Sequence, residues 1–445
     1  MLRKLRSPIL RIVISLAACA GCLSSIICLQ RACGEESQAL NPGKKDVARN
    51  GPSSLFTPFG PPDSTKITGS IENSALPIEQ PAVLWKVTSD TANRDGQLTS
   101  QPLTNPAVAD GILYFGDEVG GLIAYRAHDQ TELWTHLHGS RLSMTPSVDR
   151  DFVYFGSESG ITAIRRGDGK VVWQYPIEHG ANEATPIPSG RHLFASGYDG
   201  NAYCLSRISG EVVWKHNFLE DAPEDQPGFD GARARFQKIV ARPSGSACDG
   251  KLFVQCIFDQ SRVIALDCET GKRKWTFQTG GWTGTAPTIA NERVYVVSQD
   301  KHLYCLDLAT GVVVWKFETP NWIASRVAVH EEQVFLPHHG GRLYQLAADT
   351  GQLIRIMEPP DEADRAGLVA SFPIIANKTA YFASENGQFF AFDIKSGQLR
   401  WKLLPSEHSQ LVANPVTDGR QIFVATRRTL EKTGEHSIVA IGLEP

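Results

Sequence analysis

Along most of the chain the apolar residues come in short runs. "ILYFG" (112–116), "VYVV" (294–297) and "LYCL" (303–306) alternate with clusters of Gly, Asp, Asn and Pro. Runs of this length, rich in Val, Ile, Tyr and Phe and bounded by turn residues, predict β-strands. The strands recur in a fixed order. A Pro-led strand, a turn, a second strand, a Gly/Asp turn and a third strand precede a tight turn, and a last strand then closes on tryptophan. "LDCETGKRKW" (266–275), "LDLATGVVVW" (306–315) and "FDIKSGQLRW" (392–401) show the closing turn.

Trp85, Trp134, Trp173, Trp214, Trp275, Trp315 and Trp401 each end a unit, and Arg355 stands where an eighth is expected. The leading prolines are Pro106, Pro146, Pro186, Pro243, Pro287, Pro373 and Pro415, with Arg326 replacing proline once. Four short strands per period of about 40 residues predict an all-β fold, a β-propeller with one four-stranded antiparallel blade per period. Eight units fit. The last has strands from Pro415, Ile422 to Ala425 and Ser437 to Ile441 but ends before its Trp strand. The unpaired "AVLWKV" at 82–87 is expected to supply it, closing the ring by pairing the N- and C-terminal strands and leaving no open edge.

The turn residues have local reasons. Gly271, Gly311 and Gly397 accept the positive φ of a tight connection. Asp267, Asp307 and Asp393 accept hydrogen bonds from turn N–H groups. The repeat tryptophans read as structural plates buried between blades.

"ALDCETGKRKW" (Ala265 to Trp275) matches A-x-D-x-x-[ST]-G-x-x-x-W, the tryptophan-docking motif, and weaker copies recur in the other units. On these residues the chain, over about 81–445, resembles the PQQ-repeat, or quinoprotein-like, β-propeller family. That family includes eight-bladed quinoprotein alcohol dehydrogenases and the non-enzymatic BamB-type propeller lipoprotein of bacterial outer-membrane assembly. For a dehydrogenase the resemblance implies pyrroloquinoline quinone (PQQ) held between a tryptophan floor and a disulfide of adjacent cysteines, with Ca²⁺ bound by carboxylate and amide oxygens and an aspartate as base. This chain has no adjacent cysteine pair and no long insertions, so no cofactor is expected outside that reading. Fold transfers from such a resemblance more safely than activity.

The ends of the chain change the picture. "MLRKLRSPILR" is a basic leader followed by an uncharged run from Ile12 to Leu29, the layout of an export signal. Three outcomes stay open: cleavage near Ala18-Cys19-Ala20, lipidation of Cys19 in a lipobox-like "LAAC", or an uncleaved anchor. Residues 1–33 are therefore expected to be a signal peptide or membrane or lipoprotein anchor, 34–80 a Pro/Gly/Ser-rich linker, and 81–445 the propeller. The basic leader stays inside, so the body is expected in the bacterial periplasm or cell envelope. Of the 445 residues, 42% are hydrophobic and 21% charged, which suits a folded body. Net charge falls from −4 to −9 without residues 1–33, so no nucleic-acid partner is expected, and membrane contact only through the N-terminal segment. Cys204 and Cys305 share one repeat position and read as small buried hydrophobes. Cys248, Cys256 and Cys268 leave a disulfide open in an oxidising compartment. No Cys/His spacing indicates zinc.

Candidate chemistry is sparse. "GSESG" (156–160) lies in a strand-to-strand turn, unlike a nucleophile elbow. Glu183, Asp300 and Glu385 fall near the expected mouth, and His338-His339 in a blade turn. A binding face is better marked. The usual gap between a Trp strand and the next Pro-led strand widens after Trp85, Trp214 and Arg355, and all three insertions fall on one rim. The longest contains Arg233, Arg235, Lys238 and Arg242. Trp282 and Trp322 lie in consecutive interblade loops and either clamp a peptide or sugar or pack beneath those loops. Arg242 and Arg326, at or just before the proline place, are expected to face the channel or to pair with acidic loops.

These features predict a monomeric, non-catalytic scaffold that binds an envelope protein or peptide through its loop-rich face. The alternatives are a PQQ-dependent oxidoreductase with an atypical site and a module that binds carbohydrate or envelope polymer.

Overall fold

The structure, a computed structural model, describes residues 70–71, 75–88, 104–116, 120–140, 142, 145–178, 180–181, 185–218, 243–257, 261–323, 325–338, 341–360, 371–384, 386–406, 409–411, 414–428 and 436–443. All of them fall in one compact unit, 56–445. The expected export segment, most of the linker, and Glu183, Arg233, Arg235, Lys238, Arg242, His339 and Glu385 lie outside the described residues.

Each repeat folds as one small sheet. In blade 5 the strands Thr288–Ala290, Arg293–Val297, His302–Asp307 and Val313–Glu318 pair antiparallel in that order. Blades 1 to 7 occupy 107–137, 147–176, 187–217, 243–278, 288–318, 328–357 and 374–403. Blade 8 takes Val416–Thr417, Ile422–Arg428 and His436–Gly442 from the C-terminal end, and Ala82–Thr88 from the N-terminal end. Trp85 lies opposite Ala440, so the chain ends share the last sheet as expected. First strands of consecutive blades touch from blade 8 through blade 1 and on to blade 7, so the inner strands surround one axis.

The hydrophobic pattern follows from this stacking. Second and third strands have neighbours on both faces and are buried almost continuously, as in Arg293–Val297. The fourth strand is the outer edge; in Val313–Glu318 Trp315 alone is fully buried. There is no single core. Apolar clusters sit between consecutive blades, including one between blades 8 and 1 that joins Leu113 and Phe115 to Phe423 and Ala440.

A recurring bulge aims the tryptophan. Every fourth strand shifts register at the residue before the Trp position, as between Cys305↔Trp315 and Leu306↔Val313. At five of the tryptophans the indole N–H then donates to the carbonyl just past the third strand of the next blade. Trp134 reaches Arg166, Trp173 reaches Arg207, Trp214 reaches Cys268, Trp275 reaches Leu308 and Trp315 reaches Ala348, at 2.8–3.0 Å. The motif glycine has a second duty beyond its turn. Gly311, at φ +71°, lies over the Trp275 ring, where a Cβ would come within 2.5 Å of the indole. Arg355 takes the tryptophan register opposite Gln345, and its side chain lies under Gly397.

Two expectations need correcting. Residues 75–80, assigned to the linker, pack on blades 7 and 8. Leu76 is buried, and the Pro77 carbonyl accepts from Tyr381 Oη at 3.0 Å and Trp401 Nε1 at 3.2 Å. The reason is topological. Blade 8 takes its last strand from the other end of the chain, so the incoming segment must supply the carbonyl that Trp401 needs. Upstream, Ser70–Ile71 pairs in parallel with Ile374–Ala376, the first strand of blade 7. The other correction is one of register. The inner strand of blade 6 starts at Ala328, so Val327 replaces the proline and Arg326 is the residue before it.

Candidate functional site

Antiparallel order sends the interblade loops and the turns between second and third strands to the same side, and hydrogen bonds join them there. Thr279 N–H, just past the last strand of blade 4, donates to Ser261 O in that blade's turn, and Thr319 N–H repeats the bond to Lys301 O in blade 5. Gln299 N–H of blade 5 donates back to the carbonyl of Trp282 in the preceding loop. The loops after blades 4 and 5 are thus each tied to both flanking blades.

Asp300 is the centre of one of these joints. Its Oδ2 accepts from Gly280 N–H at 2.7 Å and Tyr304 Oη at 2.6 Å, while Oδ1 accepts from His302 N–H at 3.0 Å. Burial, followed by the hydrogen bond to Asp300, pushes the Tyr304 phenol up to about 12. Gly280 lets the backbone approach this closely, since a Cβ there would stand 2.7 Å from the carboxylate. In blade 3, Asp199 accepts from Tyr203 in the same way.

Two histidines hold loops to turns. His338 is buried, with Nε2 3.2 Å from Asn321 O and its ring edge-on to Tyr344. His138, which sequence reading passed over, sets Nε2 3.0 Å from Ser157 Oγ and 3.2 Å from Ser159 Oγ. Burial, aided by neighbouring His136, pulls the His138 pKa below the ordinary value. The "GSESG" turn is therefore part of a loop clasp. Trp282 and Trp322 are both half-buried in the rim loops.

Arg326 lies where the rim meets the axis. It is 4% exposed, and its guanidinium carbon stands 4.0 Å from the Phe372 ring centroid. Cys204 and Cys305 are buried beside Trp214 and Trp315, as expected, and burial pushes both thiols up to about 12. Cys248 and Cys268 are free thiols with sulfurs 3.3 Å apart, and Cys256 is buried elsewhere in the blade.

The repeat tryptophans do not supply the floor that a quinone of the dehydrogenase kind would need. Trp134, Trp173, Trp214, Trp275, Trp315 and Trp401 sit in outer strands with their indole N–H groups already bonded, so none offers a floor at the mouth. Asp300 is committed to its turn, and no group of three His, Cys, Asp or Glu side chains suited to a metal occurs among the described residues. No helix among those residues is long and apolar enough to cross a membrane.

A family model described as outer membrane protein assembly factor BamB matches residues 68–221 and 198–436. Outer membrane protein assembly factor BamB of Moranella endobia (strain PCIT) is 23% identical over 194 residues, 40% of this chain and 44% of that protein. The matched stretch is thus less than half of that relative's length. Among solved structures, BamB from Moraxella catarrhalis is similar with TM-score 0.61 at 15% identity, covering 82% of this chain and 98% of that one. The quinohemoprotein alcohol dehydrogenase from Comamonas testosteroni is similar with TM-score 0.64 at 12% identity, covering 86% and 81%. At these identities the solved structures speak to fold alone.

Proposed function

Because the chain belongs to the family described as outer membrane protein assembly factor BamB, we propose that it is an exported, non-catalytic propeller that binds another cell-envelope protein through its loop-rich rim. The observation that carries this reading is the rim itself. Among the described residues, the interblade loops after blades 4 and 5 are held by hydrogen bonds to a closed ring of sheets, and preorganised loops on a rigid repeat array make a recognition surface. The relatives' description as outer membrane protein assembly factors supports outer-membrane protein assembly as the process that such a surface would serve.

Two measurements test the proposal. The full chain, purified from envelope membranes after in-cell crosslinking, should carry a stoichiometric envelope protein, and Asn321→Arg, an exposed rim change, should remove it. The second measurement adds quinone and Ca²⁺ and assays dye reduction with alcohols. No chromophore and no turnover are expected; alcohol-dependent reduction would overturn the non-catalytic reading.

A further inference from the structure

Each blade carries one residue directly before its leading proline, or before Val327 in blade 6. The described ones are Asn105, Thr145, Thr185, Ala286, Arg326, Phe372 and Asn414. Because the inner strands follow one another around the axis, these residues form one tier at its rim end. All of them are buried, and Arg326 is the one cation in the tier among the described residues.

Its guanidinium is unprovided for. Nε, Nη1 and Nη2 are all buried without a hydrogen-bond partner among the described residues. The Phe372 ring covers one face of the group, but a guanidinium carries its five N–H donors in its own plane. Stacking therefore fixes the plane and leaves the donor edge unmet. Burial alone pulls the pKa down to about 9, so the group stays cationic at neutral pH with no opposing charge beside it among the described residues. A buried charge without a counter-charge costs several kcal/mol, more than any packing role for a long side chain would require. In blade 2, four blades away across the axis, and in neighbouring blade 3, the tier holds two more buried donors without described partners, Thr145 Oγ1 and Thr185 Oγ1.

We propose that Arg326 is the anchor of an axial site for a single carboxylate, supplied by an acidic side chain or chain terminus of the partner polypeptide. This rests on the scaffold reading and adds the chemistry the partner must present. A planar carboxylate matches the in-plane fork with two parallel bonds. One cation balances a monoanion, whereas a phosphate dianion would leave excess charge in the same buried place. The axis admits polypeptide, since the extended backbone of Ser70–Ile71 already runs along the inner strand of blade 7, next to that of blade 6.

The test uses the full chain and two probes, sodium acetate and a short peptide with a free C-terminal carboxylate. Sodium chloride at matched ionic strength and the C-terminally amidated peptide are the controls. Wild-type protein should gain thermal stability with acetate and with the free-acid peptide but not with either control. Arg326→Met should remove both responses and weaken the free-acid peptide by about tenfold or more. Should Arg326→Met fail to fold, guanidinium ¹⁵N NMR of the wild type decides instead: acetate, and not chloride, should shift one arginine Nε–H resonance. Identical behaviour in acetate and chloride, or an acetate response surviving in Arg326→Met, overturns the site. A response to acetate alone overturns the peptide source. Partner capture that persists while the carboxylate response is absent leaves the scaffold reading standing, so the two ideas fail separately.

Discussion

The indole N–H of Trp401 donates to the carbonyl of Pro77 across 324 positions of sequence. Five other repeat tryptophans reach the carbonyl just past the third strand of the following blade, and here the incoming N-terminal segment stands in for it. Ring closure therefore has two parts, the Ala82–Thr88 strand on blade 8 and the Leu76-Pro77 contact on blade 7. Trp401→Phe should keep most of the apolar contact and lose the hydrogen bond, costing about 1 kcal/mol. Trp401→Ala should cost about 3–5 kcal/mol. Urea midpoints with unchanged slope would measure both.

A buried ion pair joins blades 2 and 3. Arg207 Nη1 lies 2.6 Å from Asp149 Oδ2, and the Asp149 side chain is 3% exposed. The carboxylate also accepts from Asp151 N–H, Phe152 N–H and Tyr154 Oη at 2.8 Å. Asp149→Ala leaves the cation and the turn donors without a partner and should cost about 3–5 kcal/mol. Arg207→Met should cost less, because the carboxylate keeps its other three donors. A double-mutant cycle in urea checks the coupling.

Acid should loosen the turns between third and fourth strands. The Thr310 hydroxyl at 2.7 Å and the turn N–H groups hold the Asp307 carboxyl below the ordinary carboxylate range. In Asp393 the Ser396 N–H, at 2.6 Å, is the leading cause of the same depression. A pKa lower in the folded than in the unfolded chain adds stability above the unfolded value, about 3.9, that is lost as pH falls through the folded value. Thermal midpoints should therefore drop below about pH 4, and Asp307→Asn should make that drop shallower.

The thiols should oxidise selectively. Cys248 and Cys268 face each other at 3.3 Å, whereas Cys256 is buried away from them. With oxidised glutathione the two thiols should pass their electrons to its disulfide and form one bond, read as a Cys248–Cys268 cross-linked peptide by mass spectrometry. A cross-link to Cys256 would contradict the packing.

Much of this architecture was legible because seven copies of one turn repeat in register. The spacing located Arg355 in a tryptophan place, and the structure puts it opposite Gln345 in the register of Cys305↔Trp315. It also paired "AVLWKV" with the final strand. What escaped has no periodic signal. Leu76-Pro77 is a contact dictated by topology, not by pattern. Arg326 was displaced by one residue because blade 6 lacks the proline that marks the register. The His138 joint depends on which turn hydroxyl comes within reach, and no local motif records that, whereas the Asp300–Tyr304 contact recurs as Asp199–Tyr203 in a D-x-x-x-Y spacing that sequence reading passed over. At Gly280 the signal was present: two adjacent glycines before Trp282 mark a close backbone approach, which proves to be to Asp300.

Site-specific photocrosslinking tests the central claim most directly. A photoreactive residue placed in the full chain at Lys301 or Asn321, both exposed on the rim, should capture an envelope protein in cells. The same residue at Thr270 or Lys395, exposed in turns on the opposite side, should not. Capture from the opposite turns with none from the rim would contradict the account.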